Sequence, residues 1–525
     1  MMLDLGRTFL QSLERSPHCL AVIDGSLRLS YSEWSQHVFA LAESLSALGL
    51  RRGDHVLVLL QNRWETATLH WACQLVGVVI TPLNWRAKPD EVAYCLQDSE
   101  SKAVVFEQVS AQSVLDVSTT AQLPRIAVST GLPATYLFSD LLANRQAIPR
   151  LCATSEDVSI MLYTSGTTGA PKGVPRRHRS ERAAAVAHVA QNRYARGERC
   201  LGAMPLYHTM GVRSLLSMAL VDGCFVCLPR FDAGHALSLI EDERITALYL
   251  VPTLYHDLLA HPHFASSKVA TASKLGFAGA PMHEALLRRV HAAFAPEQLI
   301  NHYGSSEIYT FTVEPNAIAK PGSAGRAGIH ARVRVVALDG ATPSQPDQIV
   351  GPNEEGQIIA ELLGDEAFDG YWKRPDADAK SLRQGWYFTG DTGYVDGDGD
   401  LFVTGRVDDM IISGGENIFP VEIESILSTH SAVEEVAVAG LRDERWGQRV
   451  AAFIRRRSDV FVDAAALDAH CRQSQLNNFK RPREYIFVRE IPRSPVGKLL
   501  RRKLVSGDYQ RDEGLGSPSE SSRSC

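Results

Sequence analysis

Apolar residues recur along this chain in two rhythms, one near 3.6 residues and one of two residues, and the switches between them mark out elements. Ser30-Tyr31-Ser32-Glu33 has the form of a capping box, in which Ser and Glu each satisfy the other's backbone N–H. Val38, Leu41, Leu45 and Leu48 follow at helical spacing, and Gly49 stops the run. Residues 55–60 read as a short buried strand and 64–76 as a buried helix ended by Gly77. The run 78–83 reads as a strand, 91–96 as a helix and 103–106 as a strand. Strands alternating with helices imply a parallel sheet covered by helices, because a parallel neighbour is reached only through a long crossover.

A glycine-rich segment after the apolar run 160–162 interrupts the alternation, which then resumes. Segments 223–228, 247–251 and 275–277 read as strands, 236–243 and 254–260 as helices. Residues 331–338 alternate more loosely, as in an antiparallel or barrel strand. Near Gly405 the composition shifts. The acidic, glycine-rich stretch 396–400 reads as a hairpin turn, 401–404 and 410–413 as strands, and Gly414-Gly415 as a turn. Pro420 opens a helix with Glu422 and Glu424 near its positive end. Segments 433–440 and 450–455 pair as strands, 464–472 is helical, and 485–488 is a strand. The expected fold class is α/β. A large multi-subdomain N-terminal domain, 1–405, carries helix-covered sheets and a β-barrel-like part. A boundary falls at residues 406–409, which a family resemblance carried by later motifs makes a hinge; 410–508 is a small α+β domain, mobile if that resemblance holds, and 509–525 a disordered Ser/Gly-rich tail.

At 525 residues the chain exceeds one ordinary core, which agrees with that division. A formal charge of −6 argues against general nucleic-acid binding. Nine scattered cysteines imply no disulfide framework and suit a reducing cytosol; Cys224 and Cys227 lie in an apolar run and read as core. His261 and His263 read as surface loop residues. No signal peptide, membrane span, peroxisomal address or prenylation box is evident, so a cytoplasmic protein is expected.

The chemistry concentrates first in Tyr163-Thr164-Ser165-Gly166-Thr167-Thr168-Gly169-Ala170-Pro171-Lys172-Gly173-Val174. Glycines let backbone approach a ligand, hydroxyls and N–H groups donate, and Lys172 adds a compact charge, the ingredients of a polyphosphate cradle. The order is not that of a Walker A loop, because Lys172 is followed by Gly173. The segment resembles the phosphate loop of the adenylate-forming superfamily: acyl-CoA synthetases, luciferases and adenylation domains of peptide synthetases. Further stretches match that superfamily in order. Asn301-His302-Tyr303-Gly304-Ser305-Ser306-Glu307 is similar to the motif ending in an acid that helps hold Mg²⁺. The resemblance makes Glu307 and Thr167 the candidate ligands and Tyr303 the ring that stacks on adenine. Gly304, Ser305 and Ala280 fall among the nucleotide contacts. Asp391, in Thr389-Gly390-Asp391, looks like the ribose-binding acid, and Arg406 like the arginine that contacts ribose or phosphate. Asp408 matches the hinge position. Lys498, in Pro495-Val496-Gly497-Lys498, looks like the adenylation lysine.

For a second half-reaction the resemblance assigns Gly414 and Gly415 to a pantetheine tunnel, and Arg86, Trp446, Phe479 and Arg481 to the nucleotide end of a coenzyme A site. His208, Thr209 and Met210 match the motif bordering the acyl pocket, with Tyr249, Ala278, Gly279, Ile308 and Tyr309 as further lining. The pattern is closest to the aryl-CoA ligases of the 4-chlorobenzoate type, though the residues after His208 and Glu307 depart from it. The implied activity is ATP-dependent joining of an aromatic or alicyclic carboxylic acid to coenzyme A. Hydroxylated or amino-substituted aromatics suit the extra pocket hydroxyls. Alternatives are a medium-chain fatty acyl-CoA synthetase, a stand-alone enzyme loading a carrier protein, a luciferase-like oxygenase, and a nucleotide-binding scaffold. Many relatives are homodimers, and oligomeric state is left open.

Overall fold

A computed structural model describes residues 3–143, 148–164, 171–339, 343–414, 416–457, 460, 462–493 and 499–512. Compactness divides the chain into two units. The first comprises 1–334, 359–388 and 399–401; the second comprises 335–358, 389–398 and 402–525. This division differs from a single cut at 406–409, since the chain passes between the units within the strands Gly356–Glu361, Trp386–Val395 and Leu401–Arg406.

The first unit holds two large sheets. In one, Tyr136–Leu137, Arg125–Ala127, Ala103–Phe106, His55–Leu59, Val79–Pro82 and Val158–Thr164 lie side by side, closed at the edge by Lys172–Arg177. All pairs are parallel except the last, a hairpin. In the other, Gln298–Tyr303, Lys274–Phe277, Ala247–Leu250, Arg199–Gly202, Cys224–Cys227 and Leu20–Asp24 form a parallel centre with antiparallel edges. The expected parallel, helix-covered sheets are thus present. Cys224 and Cys227 are buried in a four-residue strand, as core residues.

One hydrophobic cluster joins strands of both sheets through the helices Leu5–Arg15, Tyr31–Ala47, Trp64–Val76 and Thr209–Leu220. Trp64–Val76 is buried from Glu65 onward, polar residues such as His70 and Gln74 included, so it shows no solvent-facing polar stripe. Gly77 ends it at φ 76°. Phe9 stacks on Trp71 at 5.1 Å and meets Trp34 edge-on at 5.5 Å, locking three helices together. Tyr31–Ala47 begins at the anticipated capping box of Ser30 and Glu33.

The barrel-like part is corrected. Val333–Val336, Gly356–Glu361, Trp386–Val395 and Leu382–Arg383 make one open path, with Leu401–Arg406 paired to Trp386–Val395, and no ring of strands closes among the described residues. Within the second unit, Val433–Asp443 and Gly447–Arg456 form a long antiparallel hairpin flanked by Ile411–Ser413, Glu416–Ile418 and Glu484–Phe487. Helices Pro420–Leu427 and Ala464–Gln473 cover it around a core of Ile423, Leu427, Val438, Ala452 and Leu467. No helix among the described residues is long and apolar enough to cross a membrane.

Candidate active site

In the first unit the site grows from the hairpin Val158–Thr164/Lys172–Arg177. Register sets Thr164 opposite Lys172 and Tyr163 opposite Gly173, so the phosphate-loop candidates leave and rejoin the sheet at one edge. Ser165, Gly166, Thr167, Thr168 and Gly169 lie outside the described residues. The Tyr163 hydroxyl donates to Asp98 Oδ2 at 2.6 Å, pinning the strand before the loop. Gly173 accepts a bond from Trp372 N at 2.9 Å, and a Cβ there would stand 3.1 Å from Trp372 Cβ. That close approach brings Tyr371 beneath Lys172, whose Nζ lies 4.1 Å from the ring centroid.

Tyr371 is the residue that sequence patterns did not reveal. Its hydroxyl donates to Glu307 Oε1 at 2.6 Å, so one side chain connects the loop lysine to the candidate metal-binding acid. Burial and the neighbouring Glu307 push the Tyr371 hydroxyl far above the ordinary phenol range, keeping it a donor. The Glu307 backbone is fixed too. Its carbonyl accepts from Arg176 Nη1 at 2.8 Å and from Phe368 N at 2.9 Å, and its N–H donates to Ser305 Oγ at 3.2 Å. Arg176 pairs with Glu181 at 2.8 Å with both side chains fully buried. Gly304 is required at the turn before the acid, since a Cβ would fall 2.0 Å from the Tyr309 carbonyl. A carboxylate with Oε1 committed and Oε2 making no hydrogen bond to a described residue fits a hard divalent cation such as Mg²⁺.

Tyr303 closes its strand half-buried, against Phe311 at 5.1 Å. His208 is the N-cap of Thr209–Leu220, its ring accepting from Met210 N at 3.4 Å, so part of its role is structural. Thr209, Met210, Tyr249, Ala278, Ile308 and Tyr309 are buried, Ala280 is half-buried and Gly279 is exposed at φ +82°. The Tyr309 hydroxyl donates to Glu181 Oε2 at 3.0 Å with Arg176 4.2 Å over its ring; that hydroxyl is committed to the buried ion pair. Arg86 is exposed and stacks over Trp85 at 3.5 Å.

In the second unit, Arg406 Nη1 meets Asp391 Oδ1 at 3.0 Å, bringing the two ribose candidates together. Gly390, at φ +76°, lets the guanidinium approach; a Cβ would stand 3.0 Å from Arg406 Nη2. Asp408 is exposed in the short turn Val407–Asp409. Its neighbour Asp409 is clamped by Arg501 at 2.8 Å, and Arg501 also grips Glu424 at 2.7 Å and the Val438 carbonyl at 3.0 Å. Arg501, which the sequence places in a plain basic run, is thus a nearly buried structural residue. Gly414, at φ +62°, donates to the Trp446 carbonyl at 2.9 Å, and a Cβ would collide with the indole at 2.8 Å. Trp446 is flanked by Arg445 at 4.8 Å and Arg483 at 5.6 Å. Arg472, Asn478, Phe479, Arg481 and Arg483 line an open cleft, three guanidiniums beside an exposed ring, where an aromatic base and its phosphates can be held. Gly415 and Lys498 lie outside the described residues.

The AMP-binding enzyme family matches residues 9–372, and the AMP-binding enzyme C-terminal domain matches 422–498. A 4-chlorobenzoate–CoA ligase of Arthrobacter sp is 32% identical over 499 residues, covering 94% of this chain and 93% of that protein. The long-chain-fatty-acid–CoA ligase FadD13 of Mycobacterium tuberculosis is 32% identical over 508 residues, covering 96% and 98%. The crystal structure of the anthranilate CoA ligase AuaEII in complex with anthranoyl-AMP superimposes with a TM-score of 0.88 at 25% identity, over 96% of this chain and 97% of that one. The chain belongs to the AMP-binding enzyme family, and it is an acid–thiol ligase of the AMP-forming acyl-CoA synthetase type.

Proposed function

We propose that the acid is an aromatic carboxylate and the thiol is coenzyme A. A carboxylate oxygen attacks the α-phosphorus of ATP, the bond to the β-phosphate bridging oxygen breaks, and pyrophosphate leaves. The thiol sulfur then attacks the acyl carbon of the mixed anhydride, its proton passes to solvent, and AMP leaves with the oxygen that came from the acid. The observation that carries the adenylation step is the Lys172–Tyr371–Glu307 chain: a cation and a hard anion spaced by one aromatic ring. Thr164 to Lys172 would hold the β- and γ-phosphates. Glu307 and the Thr167 hydroxyl would hold Mg²⁺, which when bound offsets phosphate charge. Asp391 and Arg406 would take the ribose.

Lys498 is the cation assigned to the transferring phosphoryl group, where it reduces the repulsion between two anions. Asp408 is exposed in the turn that follows the strand Leu401–Arg406, which suits a hinge for a lid formed by the C-terminal domain, residues 410–508. The Arg-lined cleft with Phe479 favours coenzyme A over a carrier-borne arm, because a carrier's phosphopantetheine lacks the adenine nucleotide that such a cleft would read. The aromatic assignment is supported by the 4-chlorobenzoate and anthranilate ligases among the relatives; the fatty-acid ligase at equal identity is why it needs a direct test. Pyrophosphate release across a panel of benzoates and C6–C18 fatty acids, with coenzyme A consumption read in parallel, is that test. Benzoates should turn over fastest, and preference for a long-chain fatty acid would overturn the assignment.

A further inference from the structure

Three parallel strands, Ala247–Leu250, Lys274–Phe277 and Gln298–Tyr303, end side by side, and such carboxyl ends are where ligands of open α/β sheets collect. Tyr249 and Gly276 are register partners near those ends, and His302 lies two residues past Ile300, the next partner on the same face. Gly276 lets Tyr249 and Asn192 pack against the strand: a Cβ would stand 3.0 Å from the Tyr249 ring and 3.3 Å from Asn192 Oδ1. The Tyr249 and His302 rings meet at 5.2 Å, and His188, from the helix His178–Gln191, packs 4.7 Å from Tyr249 and 5.2 Å from His302. Arg213, from Thr209–Leu220, lies 5.8 Å from the Tyr249 centroid. All four side chains are buried.

The hydrogen bonds fix which atoms carry protons. Asn192 Nδ2 is identified by its 2.8 Å contact to the His188 carbonyl, which can only accept. The same amino group stands 3.0 Å from His188 Nδ1, so that nitrogen accepts as well. The amide oxygen therefore faces His302 Nε2, 3.1 Å away, and this nitrogen bears the hydrogen. Burial, reinforced by Arg213, drives the His188 and His302 pKa values well below the ordinary histidine value, so both rings are neutral. His302 Nδ1 is then a bare acceptor, buried with no partner among the described residues. Arg213 spends Nη1 on Thr310 Oγ1 at 3.1 Å and Nη2 on the Tyr309 carbonyl at 2.6 Å, while its Nε–H is likewise buried and unmatched. A buried acceptor and a buried donor, both near the Tyr249 ring, thus have no hydrogen-bond partner among the described residues, and leaving such groups unmatched is costly.

We propose that His302 Nδ1 and Arg213 Nε select an aromatic acid bearing a hydroxyl group, which donates to the imidazole and accepts from the guanidinium. The assignment rests on the aryl-CoA ligase reading. A hydroxyl is the small substituent that does both. Chlorine and methyl leave both protein groups unpaired, and a second carboxylate would set lone pairs against Nδ1.

The test uses the full-length enzyme and pyrophosphate release with the three hydroxybenzoate isomers, each against the matching toluate, a near-isostere. One hydroxybenzoate should exceed its toluate in kcat/KM by about 10-fold or more. The ratio should fall to within about 3-fold in His302→Leu, and likewise in Arg213→Met, which removes the donor. Wild-type ratios below about 3-fold for every isomer would overturn the proposal even if neither variant folds. A folded His302→Leu that keeps the preference would overturn it too. These failures leave the ligase reading standing. Release with fatty acids alone, or with no acid, would overturn that reading and this proposal with it.

Discussion

Replacing Tyr371 with Phe removes one oxygen atom and tests the link between the phosphate loop and Glu307. The lost hydroxyl donates to Glu307 Oε1 at 2.6 Å and lies 3.5 Å from the Tyr387 hydroxyl. The ring beneath Lys172 is kept. A hydrogen bond to an ionised group contributes about 1.5–3 kcal/mol, a factor of roughly 10–150 if all of it orients the carboxylate. Outer-shell donors of metal-binding carboxylates typically account for 10–100-fold in affinity. The magnesium concentration at half-maximal pyrophosphate release should therefore rise about 10-fold or more, with a matching loss in direct titration of the magnesium–nucleotide complex. Tyr371→Leu, which also removes the ring, should weaken nucleotide binding further. Thermal denaturation of each variant separates positioning from folding. Magnesium dependence within about 2-fold of wild type, with only the melting temperature lowered, would refute the positioning role.

Lys498→Ala should slow adenylation by about 10²–10³-fold yet leave thioester formation from supplied acyl-adenylate within a few-fold; equal loss of both half-reactions would contradict the division of labour. Arg501→Ala leaves Asp409 and Glu424 without their shared cation and should destabilise the second unit by about 3–5 kcal/mol, read as earlier proteolytic cleavage beyond residue 409. His178 accepts from Leu5 N at 3.2 Å through Nδ1, and burial holds its pKa near 4 against an ordinary 6.5, with Asp4 and Asp157 opposing and Arg52 adding to the drop. The unfolded chain binds this proton first, so stability is lost as pH falls from about 6.5 to about 4, at roughly 1.4 kcal/mol per pH unit. Chemical denaturation of His178→Gln across that window should show a shallower slope than wild type.

Elements whose polar and apolar residues face water and core respectively could be read from the sequence. The helix opened by the capping box at Ser30 was visible that way, while the buried helix ended by Gly77 and the buried strand Ala103–Phe106 showed instead as apolar-rich runs. The helix His178–Gln191 was not, because His178, Glu181 and His188 are buried, and polar residues inside blur the helical period. The same fact hid part of the site. Arg176, Glu181 and Tyr309 form a buried network that orients Glu307, yet the partners lie far apart in the chain and share no spacing. Tyr371 follows Gly370 in a stretch with no repeat or charge pattern to single it out. By contrast, Asp391 and Arg406 were singled out by motif as ribose candidates, and an ion pair places the two side by side. The barrel expectation failed because loose alternation at 331–338 reports an antiparallel neighbour but not whether the sheet closes.

The central claim is that the acid's own oxygen attacks the α-phosphorus. A single turnover with benzoate or hydroxybenzoate carrying ¹⁸O in both carboxylate positions, ATP and coenzyme A, analysed by mass spectrometry, tests it directly. The account predicts AMP carrying one labelled oxygen, unlabelled pyrophosphate, and a thioester retaining the other label. Unlabelled AMP, or ADP with labelled phosphate, would contradict it.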